Sequence, residues 1–238
     1  MSIIFLSETA NNKLKEYLRS KGHSLCEIKK TSAVYNAISS HPDIYICKLR
    51  DELVVSKDQL PNIENHLIKS GVKYMVSAST LGYEYPENIK YNAVQIGRHF
   101  IHNTKYTDHI LLSLAKSKGL NFIHVNQGYT KCNLVVIDDH SVITSDLGIA
   151  KSLKSNHIEV LMVSNGHVSL PGFNYGFLGG ASGRVGNEII FNGDLPAHPD
   201  YPAIKNFILG CGIEIKYFEE YELGDMGSII EIQALTTV

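Results

Sequence analysis

The strongest nucleophiles in the 238-residue chain are its four cysteines, at 26, 47, 132 and 211. No two are spaced as C-x-x-C, so neither a zinc knuckle nor a redox dithiol is indicated. Cys132 follows a lysine in the polar run Asn126-Gln127-Gly128-Tyr129-Thr130-Lys131-Cys132. A cation beside a thiol lowers its pKa and raises its thiolate fraction. A second polar, glycine-rich stretch runs from Asn165 to Arg184 and carries His167. An imidazole titrates near neutral pH and suits general acid–base work. If His167 reaches Cys132, the two form a nucleophile–base pair. The plainer alternatives are that Cys132 starts a buried strand as a small apolar group, and that His167 only ties loop backbone together. Cys26, Cys47 and Cys211 read as structural.

Glycines 172, 176, 179, 180 and 183 permit positive φ and close backbone approach. With Ser182 and Arg184 they could cradle a carboxylate or phosphate; otherwise they make a tight, crowded loop. The stretch has neither the Gly-Lys-Ser/Thr ending of a Walker loop nor the G-x-G-x-x-G dinucleotide fingerprint. His198 and Asp200 resemble His41 and Asp43, each pair flanking a proline, and turn or cap roles are expected for both ahead of the alternative, a bound metal. No histidine pair has metal-ligand spacing on a helix face, so neither metal nor cofactor is expected.

Positioning falls to a repeated unit of hairpin, helix and strand. Its first copy pairs residues 44–49 with 53–56, adds a helix starting near Pro61 and ending at Gly71, and closes with strand 72–76. The others follow: hairpin 92–102, helix 104–118 and strand 120–125; hairpin 134–144, a helix capped by Asp146 through 154 and strand 158–163; hairpin 184–191, a helix from Pro202 to 209 and strand 213–218. The hairpin turns centre on Asp51, Arg98, Asp139 and Asn187. Their spacings of 47, 41 and 48 residues are those of repeat architectures. A fifth unit is split across the termini: Ser228–Ile232 supplies its first strand, 2–7 its second, then helix 9–21 and strand 24–28. Pairing first and last strands closes the array into a ring and hides its edges. The loops entering each hairpin would then lie at one end of the axis. That arrangement would bring Asn126, Gln127, Lys131 and Cys132 near Asn165, His167, Ser182 and Arg184, with Asp225 and Ser228 beside them. His41-Pro42-Asp43 is read as a helix break, and 80–88 as a connector inside a single domain over 1–238.

Such a ring resembles the pentein fold, the five-bladed α/β propeller of arginine deiminases, amidinotransferases and dimethylarginine hydrolases. The stretches Val125–Asn133, Gly166–Phe173 and Gly179–Gly183 resemble those of an uncharacterised bacterial family with that fold. The resemblance implies a cysteine that attacks a guanidinium carbon, a histidine that shuttles protons and acids that hold the cation. That cysteine normally opens the last unit. Here the corresponding stretch is Leu223-Gly224-Asp225-Met226-Gly227-Ser228, and a serine is a weaker nucleophile unless a base activates it. His167, in a Gly-His-Val context, resembles the setting of the catalytic histidine.

Composition bounds the rest. The chain is 44% hydrophobic and 19% charged, with net charge −2, as in ordinary globular proteins. Nothing suggests a general nucleic-acid or membrane surface. The N-terminus reads as a strand rather than a signal peptide, and free thiols fit a reducing cytoplasm. The expected function is binding of a small amino- or guanidino-type ligand in an axial pocket. Two alternatives stand: a C–N bond hydrolase or amidinotransferase using Cys132, His167 and Asp225, and a non-enzymatic macromolecular binder like the ribosome anti-association factor of the same architecture.

Overall fold

The computed structural model describes residues 2–234. The chain opens with β1 (Ser2–Ser7), α1 (Asn12–Ser20) and β2 (Ser24–Ile28). Then come α2 (Pro42–Tyr45), β3 (Ile46–Leu49), β4 (Glu52–Ser56), α3 (Leu60–Ser70) and β5 (Lys73–Ser77). The next unit is β6 (Val94–Ile96), β7 (His99–His102), α4 (His109–Ser117) and β8 (Asn121–His124). It is followed by α5 (Thr130–Asn133), β9 (Val135–Val136), β10 (Ser141–Thr144), α6 (Leu147–Lys154) and β11 (Glu159–Met162). The last elements are β12 (Ser182–Val185), β13 (Glu188–Phe191), α7 (Tyr201–Gly210), β14 (Glu214–Lys216) and β15 (Ile230–Gln233).

These strands form five three-stranded sheets of one pattern. In each, the first two strands pair antiparallel, and a helix carries the chain to a third strand parallel to the second. The unit split across the termini is complete: β15 pairs antiparallel with β1, Ile3 opposite Ile232, and β1 pairs parallel with β2. The expected repeat therefore holds for all five units. Among the described residues, no ladder joins one sheet to the next.

Local chemistry explains the boundaries. The side chains of Asn11, Asp108 and Asp146 accept hydrogen bonds from free N–H groups at the starts of α1, α4 and α6, which otherwise lack partners inside the helix. Gly71, at φ 65°, ends α3 in the left-handed conformation that glycine adopts without steric cost. The middle strands β1, β4, β7, β10 and β13 are buried almost throughout, whereas β5 and β8 are largely exposed and β11 and β14 mostly half-buried. A near-continuous apolar run such as Ser2-Ile3-Ile4-Phe5-Leu6 marks a strand covered on both faces.

Several boundaries differ from expectation, and two of them shape the site. The strand expected over 44–49 begins at Ile46. The Pro42–Tyr45 turn ahead of it is helical, and proline at N1 favours that start. The hairpin strand expected over 134–137 shrinks to Val135–Val136, because Thr130–Asn133 coils into α5. The helix expected over 104–118 starts only at His109, where Asp108 caps it.

Candidate functional site

The loops that enter the five units bring together side chains far apart in sequence. Asp43, on α2, is wholly buried. Its Oδ2 accepts from Cys132 Sγ at 3.0 Å and from Ser228 Oγ at 2.7 Å. Lys131 Nζ donates to Ser228 Oγ at 3.2 Å. Asn92 clamps α5 in place: its Oδ1 accepts from Lys131 N and Cys132 N, and its Nδ2 contacts Cys132 Sγ at 3.2 Å. Asp225 is anchored by backbone N–H groups of Phe177 at 2.9 Å and Gly227 at 3.0 Å. His41 Nδ1 lies 3.7 Å from Asp225 Oδ1.

Burial sets the protonation states. Desolvation holds His41 down at about 4, so its imidazole is neutral at pH 7 and the approach to Asp225 is no ion pair. Burial pushes the Asp225 carboxyl up to about 6, against the two backbone donors and the Lys131 charge. Asp43 is raised by burial, with Asp225 adding to it and His41 opposing. The Lys131 ammonium is lowered by desolvation against the opposing pull of Asp43, Cys132 and Asp225. Two buried atoms here, Asp43 Oδ1 and His41 Nδ1, have no hydrogen-bond partner among the described residues. An unpaired buried polar atom costs on the order of 1–3 kcal/mol, and such atoms concentrate where a ligand binds.

Aromatic rings crowd the same loops. The Tyr35 and Tyr129 hydroxyls bond each other at 2.9 Å, and Tyr129 donates onward to Asn88 at 3.0 Å. Both phenols are pushed up, first by burial and further by the nearby Cys132. Phe173 packs on Tyr35 and Phe177 on Tyr129.

The expected site residues divide. Lys131, Cys132, Asp225 and Ser228 meet. Ser228 holds φ 72°, a left-handed backbone rare for a residue with a side chain. Ser182 is buried close by, 3.5 Å from the Gly179 carbonyl. The others lie elsewhere. His167 is exposed with its ring 5.2 Å from that of His198, so it does not pair with Cys132. Asn165 is exposed. Asn126 serves as a backbone acceptor for Asn103, and Gln127 bonds Asp146 and the Tyr129 N–H. Arg184 points to the hairpin end, bonding the carbonyls of Gly186 and Ile137.

The surroundings of Cys132 do not favour its thiolate. Burial, then the charges of Asp43 and Asp225, push its pKa well above that of a free thiol. The adjacent lysine points its charge at Ser228 instead. The glycine-rich loop is the crowded one rather than an anion cradle. A Cβ at Gly180 would sit 2.1 Å from Asp225, and one at Gly183 2.1 Å from the Ile229 carbonyl. The N–H groups of residues 176, 177, 180, 181 and 182 already have acceptors inside the protein. Sequence reasoning missed Asp43, His41 and Asn92. The visible signal is the likeness of His41-Pro42-Asp43 to His198-Pro199-Asp200, which locally implies turn chemistry for both.

A family model, "Family of unknown function (DUF6873)", matches residues 5–230. The chain belongs to that family. No curated protein matches the sequence. Among solved structures, this DUF6873 protein is similar to the dimethylarginine dimethylaminohydrolase of Pseudomonas aeruginosa in complex with citrulline, at TM-score 0.54 and 10% identity, covering 91% of each chain. It is also similar to an amidinotransferase of the saxitoxin biosynthetic pathway from Microseira wollei, at TM-score 0.57 and 10% identity, covering 95% of this chain and 80% of that one. A third is the C. jejuni agmatine deiminase, at TM-score 0.52 and 12% identity, covering 93% and 90%. The DUF6873 chain thus has the pentein fold, and the resemblance inferred from its sequence holds at that level. No helix among the described residues is long and apolar enough to cross a membrane, and no group of three or more His, Cys, Asp or Glu side chains among them could hold a metal ion.

Proposed function

We propose that the five units form one domain closed into a ring, and that the polar core at its axis binds a small amino- or guanidino-type ligand. The reading rests on one observation: two buried carboxyls, Asp43 and Asp225, both act on the Lys131 ammonium, and one Asp43 oxygen has no partner. Carboxylates satisfy a cation by charge-assisted hydrogen bonds, and aromatic faces of the kind Tyr35, Tyr129 and Phe177 offer add cation–π attraction. Lys131 is the resident cation. A ligand cation competes with it for the same acids. The fold's solved neighbours act on arginine-like compounds, which supports the class of ligand and no particular reaction. The partner in this reading is a small molecule rather than nucleic acid, and free cysteines suit the cytoplasm.

Calorimetric titration with agmatine, arginine and citrulline tests this. Agmatine or arginine binds and the uncharged ureido compound does not, and Asp225→Asn weakens binding about tenfold or more, as loss of one buried charge partner does. Equal binding of all three, or none, sinks the reading.

One observation favours a second reading, a hydrolase or transferase at a C–N bond. Ser228 Oγ touches both a carboxylate and an ammonium, at 2.7 and 3.2 Å, so the nucleophile in that reading is Ser228 and not Cys132. Intact-protein mass spectrometry after mixing with a guanidino substrate distinguishes the two, since only the enzyme reading yields a covalent adduct lost in Ser228→Ala.

A further inference from the structure

A cavity of about 980 Å³ lies at the opposite end from the entry loops, among the hairpin turns. It is the size of a small-molecule site. The turns around it touch one another: a Cβ at Gly97 would come within 2.8 Å of the Asp139 carbonyl. Five cations line it. Arg50 and Arg98 are exposed, Lys48 and Arg184 are half-buried, and Lys131 is shared with the entry-loop core.

These cations make no close ion pair. Among the described residues, none of the five is within ion-pair distance of an acid. Lys48 donates to the backbone carbonyl of Glu231 at 2.6 Å, and Arg184 to those of Gly186 and Ile137. Three acids also line the cavity, and two are engaged elsewhere. The Glu231 carboxylate accepts from Ser2 Oγ and Gly186 N, and Asp138 from His140 N. All three keep their charge, and five cations against three acids leave the lining with an excess of positive charge. A second observation is independent of charge: Gln95 Oε1 and His99 Nδ1, both on lining residues, are buried without hydrogen-bond partners. The walls therefore carry excess positive charge and unmet polar groups, in a chain whose net charge is −2.

We infer that this cavity is a second binding site, for a small organic polyanion bearing phosphate or carboxylate groups. Arg50 and Arg98 draw the anion to the mouth, since a concave wall of one sign focuses the field. Arg184 and Lys48 hold it, the guanidinium fork matching two oxygens of one carboxylate or phosphate. The site takes a charge opposite to that of the entry-loop ligand, and the two share only Lys131.

The test is calorimetric titration of the full chain with inorganic pyrophosphate, citrate and, as a neutral polyol, sorbitol. Either anion is expected to bind, sorbitol is not, and which anion binds names the ligand class. Because Arg50 and Arg98 sit exposed at the rim, the double variant Arg50→Glu/Arg98→Glu folds normally by circular dichroism. Its affinity falls by about tenfold or more, as reversal of steering charges implies. The same double variant leaves agmatine binding at the entry-loop site unchanged, so this site can fail while the entry-loop site stands, and the reverse. Absence of anion binding at millimolar concentration overturns the inference. So does sorbitol binding as tight as that of the anions, or an unchanged affinity in the double variant.

Discussion

The two ends of the molecule solve the problem of charge in opposite ways. At the entry-loop end, Asp43, Asp225, His41 and Lys131 are driven into a core where every ionisable group is pulled toward its neutral form. At the hairpin end, cations of the same chain stand around an open cavity with backbone carbonyls for partners. The first end is buried, so each charge there depends on a specific neighbour. The second opens to solvent, so like charges coexist behind its screening. The lesson is that a fully buried nucleophile is not thereby reactive. Cys132 has the lysine neighbour that makes a thiolate in the open, yet burial and two acids reverse the effect.

The contrast can be broken most severely where the two ends meet. Gly183 packs against the Ile229 backbone, and backbone cannot swing aside as a side chain does. Gly183→Ala is expected to cost about 3 kcal/mol or more in urea denaturation, the range of severe overpacking. A loss under about 1 kcal/mol would mean the strands separate easily there.

Next in size is the pH response of the buried end. Asp225 is raised in the folded state, to about 6 from 3.8. The folded protein therefore holds that proton more tightly, and the stability this carboxyl contributes is present below pH 4 and lost as pH rises through about 6. The shift corresponds to about 3 kcal/mol at most. His41 and His102 are lowered to about 4 from 6.5 and act in the opposite sense, removing stability as pH falls from 6.5 toward 4. In Asp225→Asn the rising limb of acid destabilisation between pH 6 and 4 is expected to steepen, because the opposing carboxyl is gone. An unchanged urea midpoint profile would show that Asp225 is ordinary.

The thiols sharpen the comparison kinetically. Cys211 is part-exposed, while Cys26, Cys47 and Cys132 are buried. Burial pushes Cys26 and Cys47 up to about 12. Iodoacetamide at pH 7 is expected to label Cys211 first and the other three only after denaturation, since the thiolate is the reactive form. Rapid native labelling of Cys132 would restore the activated-thiol idea. The smallest effect belongs to the open end: Arg50→Glu/Arg98→Glu is expected to change stability by less than about 0.5 kcal/mol, as for exposed positions without fixed partners.

Much of the fold was legible in the chain because its signals are local. Hairpin turns, capping residues such as Asp146 and glycine stops such as Gly71 act within a few positions, and their recurrence announced five units. The candidate site was legible in half. Lys131, Cys132, Asp225 and Ser228 lie on loops whose position in the repeat predicts their meeting. Asp43 escaped because a proline-flanked Asp has the same local appearance at 43, where it is buried at the centre of the core, as at 200, where it stands at the start of α7. His167 misled for the matching reason: its Gly-His-Val context describes a loop, not the direction the loop takes.

By itself, then, the sequence determined the repeated unit and its caps, which follow from short-range backbone preference and apolar periodicity, and the joining of the two termini in one sheet, which completes the repeat. Only the tertiary structure decided which polar groups share a boundary. Asp43 meets Ser228 across 185 positions and Cys132 across 89, and the charge of each depends on the water the others exclude. Desolvation is a property of the assembled neighbourhood, so no spacing within one segment can reveal it.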